Sequence, residues 1–169
     1  MGDVIRSAII YLLVVALIIG FFKLLKMHER VTLEPNDHYM DELEYSSGNY
    51  RIKTGQMKAE DYKAGDAGDV VAYWVPGKPD TSRVARVLAL PGERVEIERK
   101  NPADSKSLTV VKVNGTPLLR FKIDHSEWRF PEIVVPRGCL FLLADKPSLG
   151  EDSMQVGPVP YFCVRGRVN

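Results

Sequence analysis

The sequence is poor in the residues that build metal centres and disulfide frameworks. Its 169 residues include two cysteines, Cys139 and Cys163, and three histidines, His28, His38 and His125, which are far apart along the chain. This scatter excludes the close Cys and His spacing of a zinc site. We therefore predict no metal site and no cofactor. Outside the cytoplasm the two cysteines could form a disulfide. The alternative, which we favour, is two small buried apolar residues.

The chain also lacks a strong charge of either sign. It has 23 Lys and Arg against 22 Asp and Glu, which gives a formal net charge of +1. No basic stripe with interleaved aromatic residues occurs, so the composition argues against a nucleic-acid partner. Nothing in the pattern indicates a small-molecule substrate. No internal repeat or low-complexity stretch is present.

One long apolar run lies at the N-terminus. Residues 8–22, AIIYLLVVALIIGFF, contain no charge, and apolar neighbours extend the run to the roughly 20 residues that a bilayer's hydrocarbon core requires. The run is followed by FFKLLKMHER rather than by a small-x-small cleavage site. We predict an uncleaved membrane anchor within residues 1–30. A cleaved signal peptide and a buried core helix remain the alternatives.

The remaining residues, 31–169, are typical of a single all-β domain. Turn signals recur roughly every ten residues, and no long helical period is present. The sequence predicts short, mostly antiparallel strands over 70–75, 83–90, 94–98, 108–113, 117–121, 139–143 and 160–168. Asn114-Gly115 suits the positive φ angles of a type I′ hairpin turn. The expected architecture is therefore one transmembrane helix followed by this β domain.

Three segments, in order, resemble the characteristic boxes of the type I signal peptidases. The first is GDVVAY at 68–73, and the second is ARVLALPGERVEI at 85–97. The third is FLLADK at 141–146, continued by GEDS at 150–153 and GPV at 157–159. The resemblance covers nearly all of the sequence after the apolar run. It implies a signal-peptidase-like β domain held at the membrane.

The resemblance implies three catalytic positions, and none of them carries the family's residue. The serine, the lysine and the second serine correspond here to Tyr39, Ala85 and Gly150. A methyl group cannot accept a proton, and a phenol with a pKa near 10 needs a base beside it. We therefore expect that the protein is a pseudo-enzyme without catalytic activity. Its expected role is that of a binding, scaffold or accessory subunit of a membrane, secretion or surface-assembly complex. The alternative is an active peptidase that cleaves leader peptides with relocated groups, for which Ser46 and Ser47 are candidates.

The same resemblance implies a groove for an extended peptide that is added as a strand along a sheet edge. One wall would contain Tyr39 and Met40. The other wall would contain Ser82, Arg83, Val84 and Ala85. The expected partners are the lipid bilayer and a protein or extended peptide segment.

Two signals disagree about which side of the membrane carries the domain. Lys23, Lys26 and Arg30 follow the apolar run, whereas only Arg6 and the amino terminus precede it. Counting basic residues therefore places the C-terminal side in the cytoplasm. The family resemblance implies the opposite. We expect a single-pass protein of the cytoplasmic membrane with its domain on the extracytoplasmic side, because a difference of one or two charges orients weakly.

Overall fold

A computed structural model describes residues 2–26, 28–32, 49–53, 58–99, 109–123, 130–145 and 151–168. Its first element is helix α1, Gly2–Lys26, which contains the apolar run. Large apolar side chains are exposed along this helix at Ile9, Ile10, Tyr11, Leu12, Leu13, Val14, Leu17, Ile18, Ile19 and Phe21. Over the residues that the structure describes, no helix has both the length and the hydropathy that crossing a bilayer requires.

The rest of the described chain is dominated by β-strands. The strands are β1 His28–Thr32, β2 Asn49–Lys53, β3 Val70–Val75, β4 Lys78–Ala89, β5 Arg94–Arg99, β6 Thr109–Val113, β7 Thr116–Ile123, β8 Phe130–Val134, β9 Cys139–Leu143, β10 Val159–Pro160 and β11 Val164–Val168. A short helix, α2, is Ser153–Val156, and single 3-10 turns lie at Ala59–Asp61 and Tyr161–Cys163.

The strands form two sheets whose pairings are all antiparallel. The larger sheet has the order β1-β2-β11-β3-β4-β9-β10, and the smaller has the order β7-β6-β5-β8. The predicted all-β class is therefore confirmed. The division into an anchor at 1–30 and a domain at 31–169 stays a prediction.

Two apolar clusters make up most of the described core. The first joins the two sheets, and its buried members are Leu88, Ala89, Val95, Ile97, Val111, Phe121, Val135, Phe141, Leu143 and Met154. The second lies on the other face of β4 and β9, and its buried members are Tyr62, Val71, Tyr73, Val75, Ala85, Val87, Leu140, Leu142, Val159 and Cys163. Alternate residues of β9 therefore enter different clusters, as the two-residue period of a strand requires. In β4 the alternation is interrupted, because Leu88 and Ala89 both enter the first cluster at a register shift.

The two cysteines are free thiols, and each packs with a different cluster. Cys139 lies against the cluster between the sheets, and Cys163 is buried in the cluster on the other face. Burial raises the pKa of both thiols. The interpretation as a buried apolar residue is confirmed for Cys163, whereas Cys139 is only partly buried.

The hairpin between β6 and β7 has the turn that its sequence predicts. Asn114 has φ 51° and Gly115 has φ 77°, which are the two positive values that a type I′ turn requires. The strands on either side continue slightly beyond the predicted limits. Local turn chemistry was sufficient to predict this hairpin.

The prediction of one final strand over 160–168 is wrong. The chain forms β10, then the turn at Tyr161–Cys163, and then β11. β10 pairs with β9, whereas β11 pairs with β3 and β2. Because these partners lie in different parts of the large sheet, the chain must leave one before it joins the other. The backbone N–H of Tyr161 donates to the carbonyl of Gly138 at this crossing.

The turn between β4 and β5 generates a test of the fold. Gly92 has φ 86°, and an added Cβ would meet nothing within 4 Å, so backbone strain alone would penalise a side chain there. Gly92→Val should lower the free energy of unfolding by about 1–3 kcal/mol, measured by denaturant titration in detergent. Gly92→Asn is the matched control and should lose less, because Asn tolerates positive φ. An unchanged midpoint in Gly92→Val would contradict this role of the turn.

Candidate peptide-binding site

Among the described strands, partners pair with one edge of β4 along only half of its length. On one side it pairs with β3, with Trp74 opposite Ser82 and Val71 opposite Ala85. On the other side it pairs with β9 only from Arg86 onward. Within the described residues, no strand pairs with this second edge between residues 78 and 85. Unpaired N–H and C=O groups at such an edge are a template for another extended chain.

Ala85 is the last residue of this unpaired half. It has no exposed surface and packs in the second core cluster beside Val71, Tyr73 and Val87. A methyl group in this place cannot accept or donate a proton. The position that corresponds to the family's lysine therefore lies in an apolar core, where Ala85 contributes packing.

A buried ion pair lies directly after Ala85. Nε of Arg86 donates to Oδ1 of Asp145 at 2.9 Å, and Nη2 donates to Oδ2 at 3.0 Å. Nη1 donates to the carbonyl of Gly68 at 2.8 Å. The two side chains are 5% and 0% exposed. This bidentate geometry fixes β4 relative to the end of β9 and to the turn before β3.

Gly68 is required for this arrangement. A Cβ at residue 68 would stand 2.1 Å from the carbonyl oxygen of Val87, which is shorter than any ordinary contact. The backbone around Gly68 therefore approaches β4 closely enough for its carbonyl to accept from Arg86. Gly68, in the first of the three segments that resemble the family, is needed because any side chain at this position would collide with the backbone of β4.

Glu151 holds one face of the unpaired half of β4. Its carboxylate forms ion pairs with Lys78 and, at 3.3 Å, with Nη2 of Arg83. The hydroxyl of Tyr73 donates to the backbone carbonyl of Glu151 at 2.7 Å. The hydrogen bond from Lys78 holds the pKa of Glu151 below its usual range, and Arg83 acts in the same direction. The segment that follows residue 150 is thus attached to the β3–β4 hairpin.

The residues after Glu151 are attached to β9. Asp152 caps α2, and its carboxylate accepts from the backbone N–H groups of Ala144 at 3.1 Å and Met154 at 2.9 Å. Burial raises the pKa of Asp152 to about 7, against the effect of those two N–H donors. Oγ of Ser153 accepts from the backbone N–H of Leu142. Both side chains are buried, and their hydrogen bonds hold this segment against β9.

The opposite face of this part of β4 carries another cation, Arg165. Arg165 lies over the ring of Trp74, 5.1 Å from its centroid. Nη1 of Arg165 donates to Oγ of Ser82 at 2.9 Å. A chain lying along this edge would therefore meet Arg83 and Glu151 on one face, and Arg165 on the other.

The structure places only some of the predicted site residues. The wall predicted from Ser82, Arg83, Val84 and Ala85 is one continuous piece of β4. Tyr39, Met40, Gly150, Ser46 and Ser47 lie outside the described residues. The binding role of all of them stays a prediction.

Sequence reasoning missed two residues that flank this edge. Glu151 forms ion pairs with Lys78 and Arg83. Arg165 donates a hydrogen bond to Ser82. No local signal could have found either residue. The contact between Glu151 and Arg83 spans 68 positions of the sequence, and the contact between Arg165 and Ser82 spans 83 positions.

Comparison with known proteins shows what the chain is similar to. The family model described as "Signal peptidase, peptidase S26" matches residues 1–169. The mitochondrial ATP-independent inner membrane protease subunit 1b of Arabidopsis thaliana is 27% identical over 124 residues, which cover 73% of this chain and 59% of that relative. The crystal structure of a signal peptidase I from Enterococcus faecalis V583 has a TM-score of 0.45 and 21% identity, covering 60% of this chain and 93% of the other.

These findings contradict the expectation that the chain is not an enzyme. The matching family consists of peptidases, and the curated relative is a subunit of a protease. The expectation depended on three positions, of which the structure describes only Ala85. An alanine there excludes that side chain as the base, but it does not exclude the reaction, because another proton acceptor can take the role. The chain spans about three fifths of its curated relative's length.

The ion pair beside Ala85 yields a stability prediction. Asp145→Asn leaves the buried guanidinium of Arg86 without its counter-charge and should cost about 3–5 kcal/mol in the free energy of unfolding. Replacing both partners, Arg86→Met with Asp145→Leu, should recover much of that loss. The control is Glu132→Gln, which breaks the exposed pair with Arg94 and should change stability little. Equal effects of Asp145→Asn and Glu132→Gln would contradict the importance of the buried pair.

Proposed function

The chain belongs to the signal peptidase family, peptidase S26, and from that premise we propose that it is a membrane-anchored peptidase subunit that receives leader peptides along β4. The observation that carries the proposal is that, among the described strands, β9 pairs with this edge of β4 only from Arg86 onward. An extended segment can add there as a strand, with main-chain hydrogen bonds supplying affinity and side-chain contacts supplying selectivity.

The two faces of this edge support peptide binding in a defined position. Glu151 and Arg83 lie on one face, and Arg165 and Ser82 lie on the other. Alternate side chains of an added strand point to opposite faces, so each face would contact every second residue of the peptide. The Arg86–Asp145 pair holds the end of this edge rigid without contacting the peptide.

The membrane-anchored part of the proposal rests on α1. Its exposed apolar side chains need an apolar environment. In the sequence the uncharged run and its apolar neighbours reach the roughly 20 residues of a bilayer core, although no described helix has both the length and the hydropathy for crossing. The curated relative is described as an inner membrane protease subunit, which supports the same placement. The proposed orientation puts the β domain outside the cytoplasm, where leader peptides emerge.

Cleavage needs a nucleophile and a base other than the side chain of residue 85. Within this chain, Ser46 and Ser47 are the proposed source of the nucleophile, since they follow closely after the segment that the family resemblance aligns with the catalytic serine. Backbone N–H groups can stabilise the oxyanion where they lie within hydrogen-bond distance of it.

Photocrosslinking tests the binding edge. A benzophenone amino acid at Ser82 in the full-length protein should crosslink to a synthetic leader peptide, and an excess of unlabelled peptide should suppress the product. The same probe at Leu119, which is 81% exposed on β7, is the control and should give little product. Equal crosslinking from the two positions would contradict a binding edge on β4.

A cleavage assay tests the catalytic part separately. The purified full-length protein should cleave a preprotein at one site, and mass spectrometry of the products identifies that site. Changing Ser46→Ala together with Ser47→Ala should lower the rate by about 10⁴-fold or more, as loss of a nucleophile does. Unchanged cleavage in this double variant would exclude both serines. If the unaltered protein does not cleave the preprotein, the proposed peptidase activity is wrong. Peptide binding would still be decided by the crosslinking experiment.

Labelling in intact cells tests the orientation. Leu119→Cys provides an exposed thiol, and Cys139→Ser removes the partly exposed natural one. An impermeant maleimide should label the protein without lysis when the domain is extracytoplasmic. Labelling that requires lysis would place the domain in the cytoplasm.

A further inference from the structure

Strand β4 contains a bulge beside the part of its edge that is proposed to bind peptides. Trp74 of β3 pairs with Ser82, but the next residue of β3, Val75, pairs with Lys78. In this pairing residues 79–81 have no partner on β3, so the ladder of the hairpin is interrupted between its turn and Ser82. Side-chain contacts therefore contribute more to the position of this part of β4 than they do in a continuous ladder.

The carboxylate of Glu151 spans this bulge. Oε1 forms an ion pair with the ammonium of Lys78 before the bulge, and Oε2 lies 3.3 Å from Nη2 of Arg83 after it. The hydroxyl of Tyr73, which is opposite Arg83 on β3, donates to the backbone carbonyl of Glu151 at 2.7 Å. We call Glu151, Lys78, Arg83 and Tyr73 the Glu151 cluster. One residue from outside the hairpin thus contacts β3 and both parts of β4.

The Glu151 cluster is partly removed from solvent. The side chain of Arg83 is 17% exposed and that of Glu151 is 33% exposed. Nη1 of Arg83 also donates to the backbone carbonyl of Ser82 at 3.2 Å, so the guanidinium is held from two sides. Partly buried charges are screened less by water than fully exposed ones, so their hydrogen bonds fix geometry more strongly than a surface ion pair does.

The two residues after Glu151 attach the same segment to the end of β9. The backbone N–H of Ala144 donates to the carboxylate of Asp152 at 3.1 Å. The backbone N–H of Leu142 donates to Oγ of Ser153 at 2.8 Å. This three-residue segment therefore joins the end of β9 to the β3–β4 hairpin.

The joined segment lies on the face of β4 to which Arg83 and Ala85 belong, because residues two apart on a strand share a face. Among the described strands, β9 pairs with β4 only beyond these residues. Residues 151–153 thus form a wall beside the edge of residues 82–85, attached to β9 at one end and to Arg83 at the other.

We propose that Glu151 is a positioning residue for peptide binding, which holds the wall of residues 151–153 and the edge of residues 82–85 at the separation that an added strand requires. The inference rests on the proposed function, since it takes the edge of β4 as the place where the peptide binds. In this role Glu151 acts through Arg83 and Lys78 and takes no part in the chemical step. A site that is already in place lowers the cost of ordering it during binding, so loss of Glu151 weakens affinity.

Fluorescence anisotropy with a labelled leader peptide tests this role on the purified full-length protein. The peptide carries no charged side chain, so its own charge cannot respond to the substitutions. Glu151→Gln keeps the size of the side chain and removes its charge, and should weaken binding about five- to tenfold. Glu151→Asp keeps the charge on a shorter side chain and should retain part of the affinity. Circular dichroism and thermal unfolding verify that each variant is folded.

The matched control removes a carboxylate from an ion pair on the smaller sheet. Glu132→Gln breaks the exposed pair with Arg94 and should leave the affinity for the peptide unchanged. In a background of Lys78→Met with Arg83→Met, Glu151→Gln should cause little further loss, because its partners are already absent.

Two further measurements separate positioning from a general loss of stability. Raising NaCl from about 0.05 M to about 0.5 M should weaken binding to the unaltered protein severalfold, because Lys78 is 58% exposed and its ion pair with Glu151 is screened by salt. The same change should have much less effect on Glu151→Gln. In the cleavage assay, Glu151→Gln should raise KM and leave kcat unchanged.

The outcomes distinguish this inference from the proposed function. Equal affinities of the unaltered protein and Glu151→Gln overturn the inference and leave the proposed function intact. An equal loss in Glu132→Gln, or a fall in kcat at constant KM, also overturns the positioning role. If the unaltered protein does not bind the peptide, the proposed function is wrong and the inference fails with it. Weaker binding by Glu151→Gln that depends on Lys78 and Arg83 and has lost its response to salt is the expected result.

Discussion

The buried pair of Arg86 and Asp145 is the contact on which the geometry of the site depends. It joins the middle of β4 to the end of β9, and through Nη1 it also holds the turn at Gly68. The guanidinium and the carboxylate can both be buried because charge-assisted hydrogen bonds at 2.8–3.0 Å offset the loss of their hydration. The pair also marks the point on β4 where pairing with β9 begins.

That boundary divides β4 into two parts with different roles. After residue 85, β4 is an interior strand that carries Leu88 and Ala89 into the core between the sheets. Up to residue 85, the same strand has an unpaired edge within the described chain. Its side chains are nevertheless held by partners on both faces, Glu151 on one and Arg165 on the other. A rigid edge can add a peptide strand without first being ordered, which lowers the entropic cost of binding.

Local patterns in the sequence were sufficient for individual strands and turns. The run at Cys139–Leu143 and the turn at Asn114-Gly115 could be predicted because each depends on neighbouring residues alone. The break at Tyr161–Cys163 could not, because apolar residues continue through it and only the change of partner from β9 to β3 interrupts the strand.

The site was predictable in part for the same reason. Residues 82–85 could be placed on one strand from family resemblance and strand pattern. Their flanking partners could not, because Glu151 and Arg165 reach them only through the folded sheet. The expectation of a non-enzyme was wrong because it judged the reaction from the side chains at three positions, Tyr39, Ala85 and Gly150, whereas the peptidase family model matches residues 1–169.

Hydrogen–deuterium exchange on the full-length protein, with and without a saturating leader peptide, tests peptide addition to β4 most directly. An added strand should slow exchange of outward-pointing backbone amides between residues 78 and 85, because they gain hydrogen bonds. Amides of the β6–β7 hairpin should be unchanged. Protection that appears elsewhere, or is absent from residues 78–85 while the peptide is bound, would contradict the proposed edge.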